Sequence, residues 1–172
     1  MDFSPASIAL SIEKSLSRLQ TDYIDLYQLH WPERKTNFFG QRGFKVQNDA
    51  WEDNIHNVLE TLDTFINAGK IKNIGLSNET PWGIMRFLEE SKYHNLPKIK
   101  TVQNPYSLLN RLFENGSAEV SIRENVGLLA YSPLAFGVLS GKFLSGESHP
   151  KARLTLFPQF SRYNSEQCTQ AT

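Results

Sequence analysis

Four apolar runs in this chain each close on side chains that carry hydrogen-bonding or titratable groups. They end at His30, at Ser77-Asn78, at Gln103-Asn104 and at Tyr131-Ser132. Imidazole, hydroxyl, amide and phenol groups together cover donor, acceptor and proton-carrying roles. Each has a plain structural reading as well. A histidine at the end of a strand is commonly structural, Ser-Asn serves as a turn or a helix cap, Gln-Asn-Pro is turn chemistry, and Tyr-Ser-Pro can be a strand end with a satisfied hydroxyl. Repetition over four successive runs is what singles the set out. Other constellations are absent: there is no CxxC, HExxH, Walker-type glycine loop or Gly-x-Ser-x-Gly. The histidines, at 30, 56, 94 and 149, lack metal-ligand spacing, so no metal site is expected. Lys142, Lys151, Arg153 and Arg162 make the last part of the chain basic, either as a solvated loop or as a phosphate clamp.

The elements that position these groups follow from periodicity. Ser4-Pro5 is a hydroxyl cap followed by proline at a first helical position, and Ile8, Ile12, Leu16 and Leu19 recur at helical spacing behind it. Tyr23–Leu29 has strand length and strand composition. A long polar and aromatic connection, 33–50, leads to a helix predicted over 52–67 and closed by Ala68-Gly69. A strand over 72–76, a helix from Thr80-Pro81, a strand over 99–103, a helix over 111–124 interrupted by Gly116, and a buried strand over 127–131 complete the pattern. Beyond it the chain reads as loop. The strands start near 23, 71, 99 and 127, so the last two intervals are about 28 residues. Strand–helix alternation at that spacing means an α/β protein with a parallel sheet. The polar strand ends then share one face, where α/β barrels and open sheets bind their ligands.

Composition narrows the class further. The chain has 172 residues, of which 40% are hydrophobic and 21% charged, with 18 basic and 18 acidic side chains. The balance excludes whole-chain attraction to nucleic acid or to an anionic membrane. Cys168 is the lone cysteine, so an intrachain disulfide is excluded. The start of the chain lacks a basic signal region, and no apolar stretch reaches the ~18 residues of a spanning helix. A cytoplasmic protein is expected. No linker or change of composition divides the chain.

At these residues the chain resembles the aldo-keto reductase family. The matching segments are Leu19–Pro32, Gly69–Ile71 through Gly75-Leu76-Ser77-Asn78, Val102–Ser107, and Leu129–Gly137 with Leu139–Lys142. They keep the family's order and spacing over about residues 5–165. Pro32–Gly40 and Asn104–Arg111 are most similar to its bacterial Tas-like branch. The resemblance implies part of a (β/α)8 TIM barrel, about four βα units corresponding to strands four to seven of the family fold. It implies NADPH-dependent reduction of aldehydes or ketones to alcohols by hydride transfer. His30 is then the histidine that orients the substrate carbonyl. Ser77, Asn78 and Gln103 hold the nicotinamide carboxamide, and Tyr131 stacks on the nicotinamide ring. Ser132, Pro133, Leu134, Ala135 and Phe136 approach the pyrophosphate, Lys142 and Arg153 lie near the cofactor phosphates, and Trp31 walls the substrate pocket.

The departures from the family are equally specific. Its catalytic tyrosine, and the lysine and aspartate that tune that tyrosine, have no counterparts among these residues. The expectation is one reductase domain over 1–172, truncated at both ends, carrying the histidine and nicotinamide side of the site and inactive alone. Loss of a general acid costs roughly 10²–10⁴ in rate. Two other readings stand beside this one: a non-catalytic NADP(H)-sensing or interaction module, and a truncated gene product without function. The partners expected are a small carbonyl substrate and, through open sheet edges, a second copy of the chain.

Overall fold

A computed structural model describes residues 2–39, 43–46, 48–146 and 149–172. Gly40, the last residue of the Tas-like loop, lies outside the described residues. Helix α1 (Pro5–Leu19) starts where the cap predicts: Ser4 Oγ accepts from the Ser7 N–H, and Pro5 fills the first turn. Its buried face is Ile8, Ile12 and Leu16, whereas Leu19 is 63% exposed. Leu19 shares the helical period but sits in the last turn, just before the left-handed Gln20 (φ 54°) turns the chain away.

Strand β1 (Ile24–Leu29), helix α2 (Ile55–Asn67), strand β2 (Ile71–Ser77), helix α3 (Pro81–His94), strand β3 (Thr101–Pro105), helix α4 (Ser117–Glu124) and strand β4 (Gly127–Tyr131) follow in order. Gly69, at φ +72°, makes the turn between α2 and β2. Gly116, at φ +96°, separates a single helical turn (Leu112–Glu114) from α4, which is the interruption expected there. Asn104 and Pro105 extend β3 rather than forming a turn. The strands lie in the sequential order β1-β2-β3-β4. The pairs β1–β2 and β2–β3 are parallel, with Leu29 opposite Leu76 and Ser77 opposite Gln103. This is α/β architecture, a partial (β/α)8 barrel.

The described residues fall into two compact units. The first comprises Met1–Asn104 and Gly116–Leu129. Its core joins Ile8 and Ile12 of α1, Val58, Leu59 and Leu62 of α2, Ile74 and Leu76 of β2, and Ile84 of α3. On β2, Ile74 and Leu76 pack toward the helices, and by strand alternation Asn73, Gly75 and Ser77 take the opposite face. The second unit comprises Pro105–Asn115 and Ala130–Thr172. Ala135, Val138 and Tyr163 form its small core, flanked by Leu109, Phe136, Leu139, Phe143, Leu154 and Cys168. The segment read as loop contains helical turns at Arg153–Leu156, Ser161–Tyr163 and Glu166–Gln170, and before them a turn over Ala135–Ser140 that is kinked at Phe136 and Gly137. β4 also differs from expectation. It is an edge strand, and Gly127, Leu129 and Ala130 are exposed. Its apolar composition suits burial, but it has a neighbouring strand on one side only.

Candidate functional site

Sheet register brings three of the polar strand ends onto one row. Leu29 pairs with Leu76 and Ser77 with Gln103, so His30, one residue past Leu29, falls in line with Ser77 and Gln103. Residues in one row of a parallel sheet share a face, and Leu29 and Leu76 take the other one. Both are buried, at 6% and 3% exposure. Gln28, one row below His30, reaches up on the same face: its Nε2 donates to Gln103 Oε1 at 3.1 Å. That bond sets which way the Gln103 amide points. Gln28 Oε1 and Thr101 Oγ1 are buried without a hydrogen-bond partner, and so is Asn104 Oδ1 at the end of β3.

Asn78 holds the end of β2 in place. Its backbone is left-handed, φ 55°, a conformation that asparagine tolerates far better than branched residues. Its N–H donates to Gln103 O at 2.9 Å, and its Nδ2 donates to His30 O at 2.9 Å and to Ser77 Oγ at 3.1 Å. Ser77 Oγ donates in turn to Gln103 O at 3.0 Å. Ser77 and Asn78 are each 4% exposed. One asparagine thus ties the ends of β1, β2 and β3 together. His30 itself is exposed and borders a cleft of about 260 Å³ with Phe3, Ser7, Tyr27 and Gln28. Trp31 lies against it, ring centroids 4.4 Å apart, and Phe39 meets Trp31 edge-on at 5.7 Å.

The loop after Trp31 is anchored by a buried ion pair that sequence reading missed. Arg34 Nη1 and Nη2 donate to Glu79 Oε2 and Oε1 at 3.1 and 2.5 Å, and Nη2 also reaches Thr80 Oγ1 at 3.1 Å. The two side chains are 10% and 4% exposed. The guanidinium also lies over Trp82, 4.7 Å from the ring centroid, and near Trp51 at 5.9 Å. Gly83 makes room for this cluster. A Cβ there would stand 2.3 Å from the Glu79 carboxylate and 2.5 Å from Arg34 Nη2. Glu79 directly follows Ser77-Asn78 in the chain, so the pair connects the loop beyond His30 to the turn that carries Asn78.

In the second unit, the residues after β4 form a strained turn. Ser132, Ala135 and Phe136 all have positive φ, at 55°, 47° and 58°, and Gly137 follows at 97°. Non-glycine residues in this region cost energy and cluster at ligand-binding positions. The N–H groups of Ala135 and Gly137 donate to Ser132 O and Leu134 O, both at 2.8 Å, which closes the turn. Lys142 lies against it: a Cβ at Gly137 would come within 3.2 Å of the Lys142 ammonium. Arg153 stacks on Phe136 and Phe160, at 5.0 and 4.7 Å. Pro133 and Leu134 are exposed. Tyr131, at the end of β4, is half-buried; burial pushes its hydroxyl above the usual range, and a hydrogen bond with Arg162 opposes that shift.

The row of strand-end groups and the turn after β4 use segments of one family pattern. The Aldo/keto reductase family model matches residues 1–169. The chain belongs to the aldo/keto reductase family. It is 52% identical to Protein tas of Escherichia coli (strain K12) over 165 residues, covering 96% of this chain and 48% of that protein. It is 39% identical to an aldo-keto reductase of Babesia bovis, covering 98% of this chain and 63% of the relative. Among solved structures, the glycerol dehydrogenase of Gluconobacter oxydans superposes with a TM-score of 0.69 at 28% identity, over 98% of this chain and 45% of that one. The chain therefore spans about half the length of the Escherichia coli relative. Among the described residues no helix is long and apolar enough to cross a membrane.

Sequence reading singles out Ser77, Asn78 and Gln103, and strand register with the Asn78 hydrogen bonds makes them meet. Gln28, Arg34, Glu79 and Gly83 are additions from the tertiary structure. Of these only Gln28 carried a sequence signal, since Gln28 and His30 alternate in a strand whose other positions are largely apolar.

Proposed function

We propose that this chain is the histidine and nicotinamide side of an NADPH-dependent aldo-keto reductase that converts aldehydes or ketones to alcohols. The observation that carries the reading is the single row of His30, Ser77 and Gln103, tied together by Asn78, at strand ends of a family member. His30 orients the substrate carbonyl beside Trp31. Ser77, Asn78 and Gln103 hold the carboxamide, which needs both donors and acceptors at fixed positions. Tyr131 offers its ring face for stacking. The residues around the turn also suit a dinucleotide phosphate: strained backbone at Ser132, Ala135 and Phe136, with the Lys142 ammonium against Gly137. Pro133 and Leu134 complete that turn. Arg153, exposed and braced by two aromatic rings, adds a second cation. NADP(H), when bound, supplies the hydride.

Among these 172 residues no tyrosine–lysine–aspartate set stands in the family's context, so this reading assigns none of them to protonate the oxygen that becomes the alcohol hydroxyl. The expected behaviour is cofactor binding without turnover. Titration of the purified chain with NADPH, followed by nicotinamide fluorescence, should saturate. NADH should bind more weakly, and Lys142→Ala should weaken NADPH by at least the ~10-fold that a charge-assisted contact of ~1.5–3 kcal/mol carries. No saturable binding would overturn the cofactor role. NADPH oxidation by the chain with a panel of aldehydes at an ordinary kcat of ~1–10³ s⁻¹ would overturn the inactivity.

A further inference from the structure

On the helical side of the first unit, α2 and α3 bring together three ligating side chains that lie far apart in sequence. His56 Nδ1 is 2.9 Å from Glu90 Oε2, and His94 Nε2 is 3.3 Å from the same oxygen. The three ligand atoms all lie within 4.8 Å of one another. Donor atoms on a tetrahedral ion with ~2.0–2.1 Å bonds stand about 3.3 Å apart; the His94–Glu90 edge has that length, and the His56–Glu90 edge, at 2.9 Å, would open by about 0.4 Å to admit an ion. Glu90 and His94 are four residues apart and share one face of α3, and His56 comes from α2.

The surroundings orient these atoms. The other nitrogen of His56, Nε2, faces Glu60 Oε1 at 3.3 Å. A carboxylate on the far nitrogen is the usual partner of a metal-bound imidazole, because it fixes the tautomer and presents the lone pair inward. Glu90 is held the same way: Arg86 takes Oε1, which leaves Oε2 toward the histidines. Arg86 is itself neutralised by Asp53, its Nε donating at 2.8 Å, with Glu89 close by. Asp53, Glu60, Glu89 and Glu90 thus outnumber the one guanidinium, and the pocket favours a cation. Glu90 is buried, with its side chain 9% exposed, while His56 and His94 are open to solvent at 37% and 51%. An ion entering from solvent would find three protein ligands and room for water.

We propose that His56, Glu90 and His94 form a site for a divalent transition ion, zinc by ligand type, that clips α2 to α3. Two imidazoles and one carboxylate match zinc, and they match magnesium or calcium poorly because those ions prefer oxygen. The spacing rule that predicted no metal site applies to ligands within one segment; these come from two helices. The competing occupant of the gap is a proton on His56. Chelator-treated, tag-free chain should bind one equivalent of zinc by calorimetry, and cobalt(II) should give the visible absorption of a low-coordinate site. His94→Gln and His56→Gln should each weaken zinc by well over tenfold, and Glu60→Gln by roughly tenfold. His149→Gln should leave binding unchanged. Since His94 is half-exposed, its variant tests the site without disturbing the core, with circular dichroism as the check on folding. Absence of saturable zinc binding, or an affinity that His56→Gln and His94→Gln leave intact, would overturn the site and assign the gap to the proton.

Discussion

Arg34 and Glu79 are the charged residues on which the loop beyond His30 depends. Both are buried, and each satisfies the other in a two-pronged geometry. Removing one partner of such a pair strands the other charge away from water. Arg34→Ala should therefore destabilise the fold by about 3–5 kcal/mol, read from urea melts. Arg34→Lys keeps the charge but not the fork, so it should recover part of that loss. A change below ~1 kcal/mol for Arg34→Ala would mean the pair behaves as a surface contact. Neither residue stood out in the sequence. Arg34 sits in a polar loop, and Glu79 follows a Ser-Asn that reads as a turn; their meeting across 45 positions carries no local signal. His30, Ser77 and Gln103 were legible as polar ends of apolar runs. What makes Ser77 and Gln103 a pair is the register, which sets one opposite the other.

At the scale of elements, caps and breakers acted as their chemistry predicts. Ser4 caps α1, Thr80 caps α3, and Gly116 interrupts the helical segment before α4. Sheet spacing depends on a position that periodicity did not mark. Gly75 lies between Gln28 and Thr101 in the row below His30, and a Cβ there would stand 2.4 Å from Thr101 Oγ1 and 3.2 Å from Thr101 O. Gly75→Ala should cost about 1–3 kcal/mol through overpacking and should move β2 relative to β3. Thr101→Ala removes the nearer atom, and that hydroxyl has no partner to lose. The double variant should regain part of the stability, measured as a coupling energy in a double-mutant cycle. Purely additive losses would show that Thr101 is not what the new methyl meets.

At the scale of the whole molecule, two compact units each hold their own apolar cluster, and the described sheet has β1 and β4 at its edges. Edge strands present unpaired backbone groups, and β4 adds Leu129, 38% exposed. We expect the chain to associate with itself. Light scattering at rising concentration should give a mass above the 19.6 kDa of one chain. A constant monomer mass would refute this. Open sheet edges were expected of a partial barrel, but neither the two units nor the exposure of β4, which reads as buried, was legible beforehand. Apolar composition alone reads as a buried strand, and no linker marks the division because each unit takes segments from two parts of the chain.

By itself, the sequence determined the alternation of helices and strands, the parallel order of the sheet, the family, and the polar groups at the strand ends. Those properties rest on local periodicity, capping chemistry and short motifs, which a linear text carries. The tertiary structure alone decided which polar groups share a row, that Asn78 ties three strand ends together, that Arg34 finds Glu79, and that His56, Glu90 and His94 stand within reach of one ion. Such arrangements depend on strand register and on the packing of α2 against α3. Both are settled by burial of side chains distant in the chain, so no segment holds the information alone.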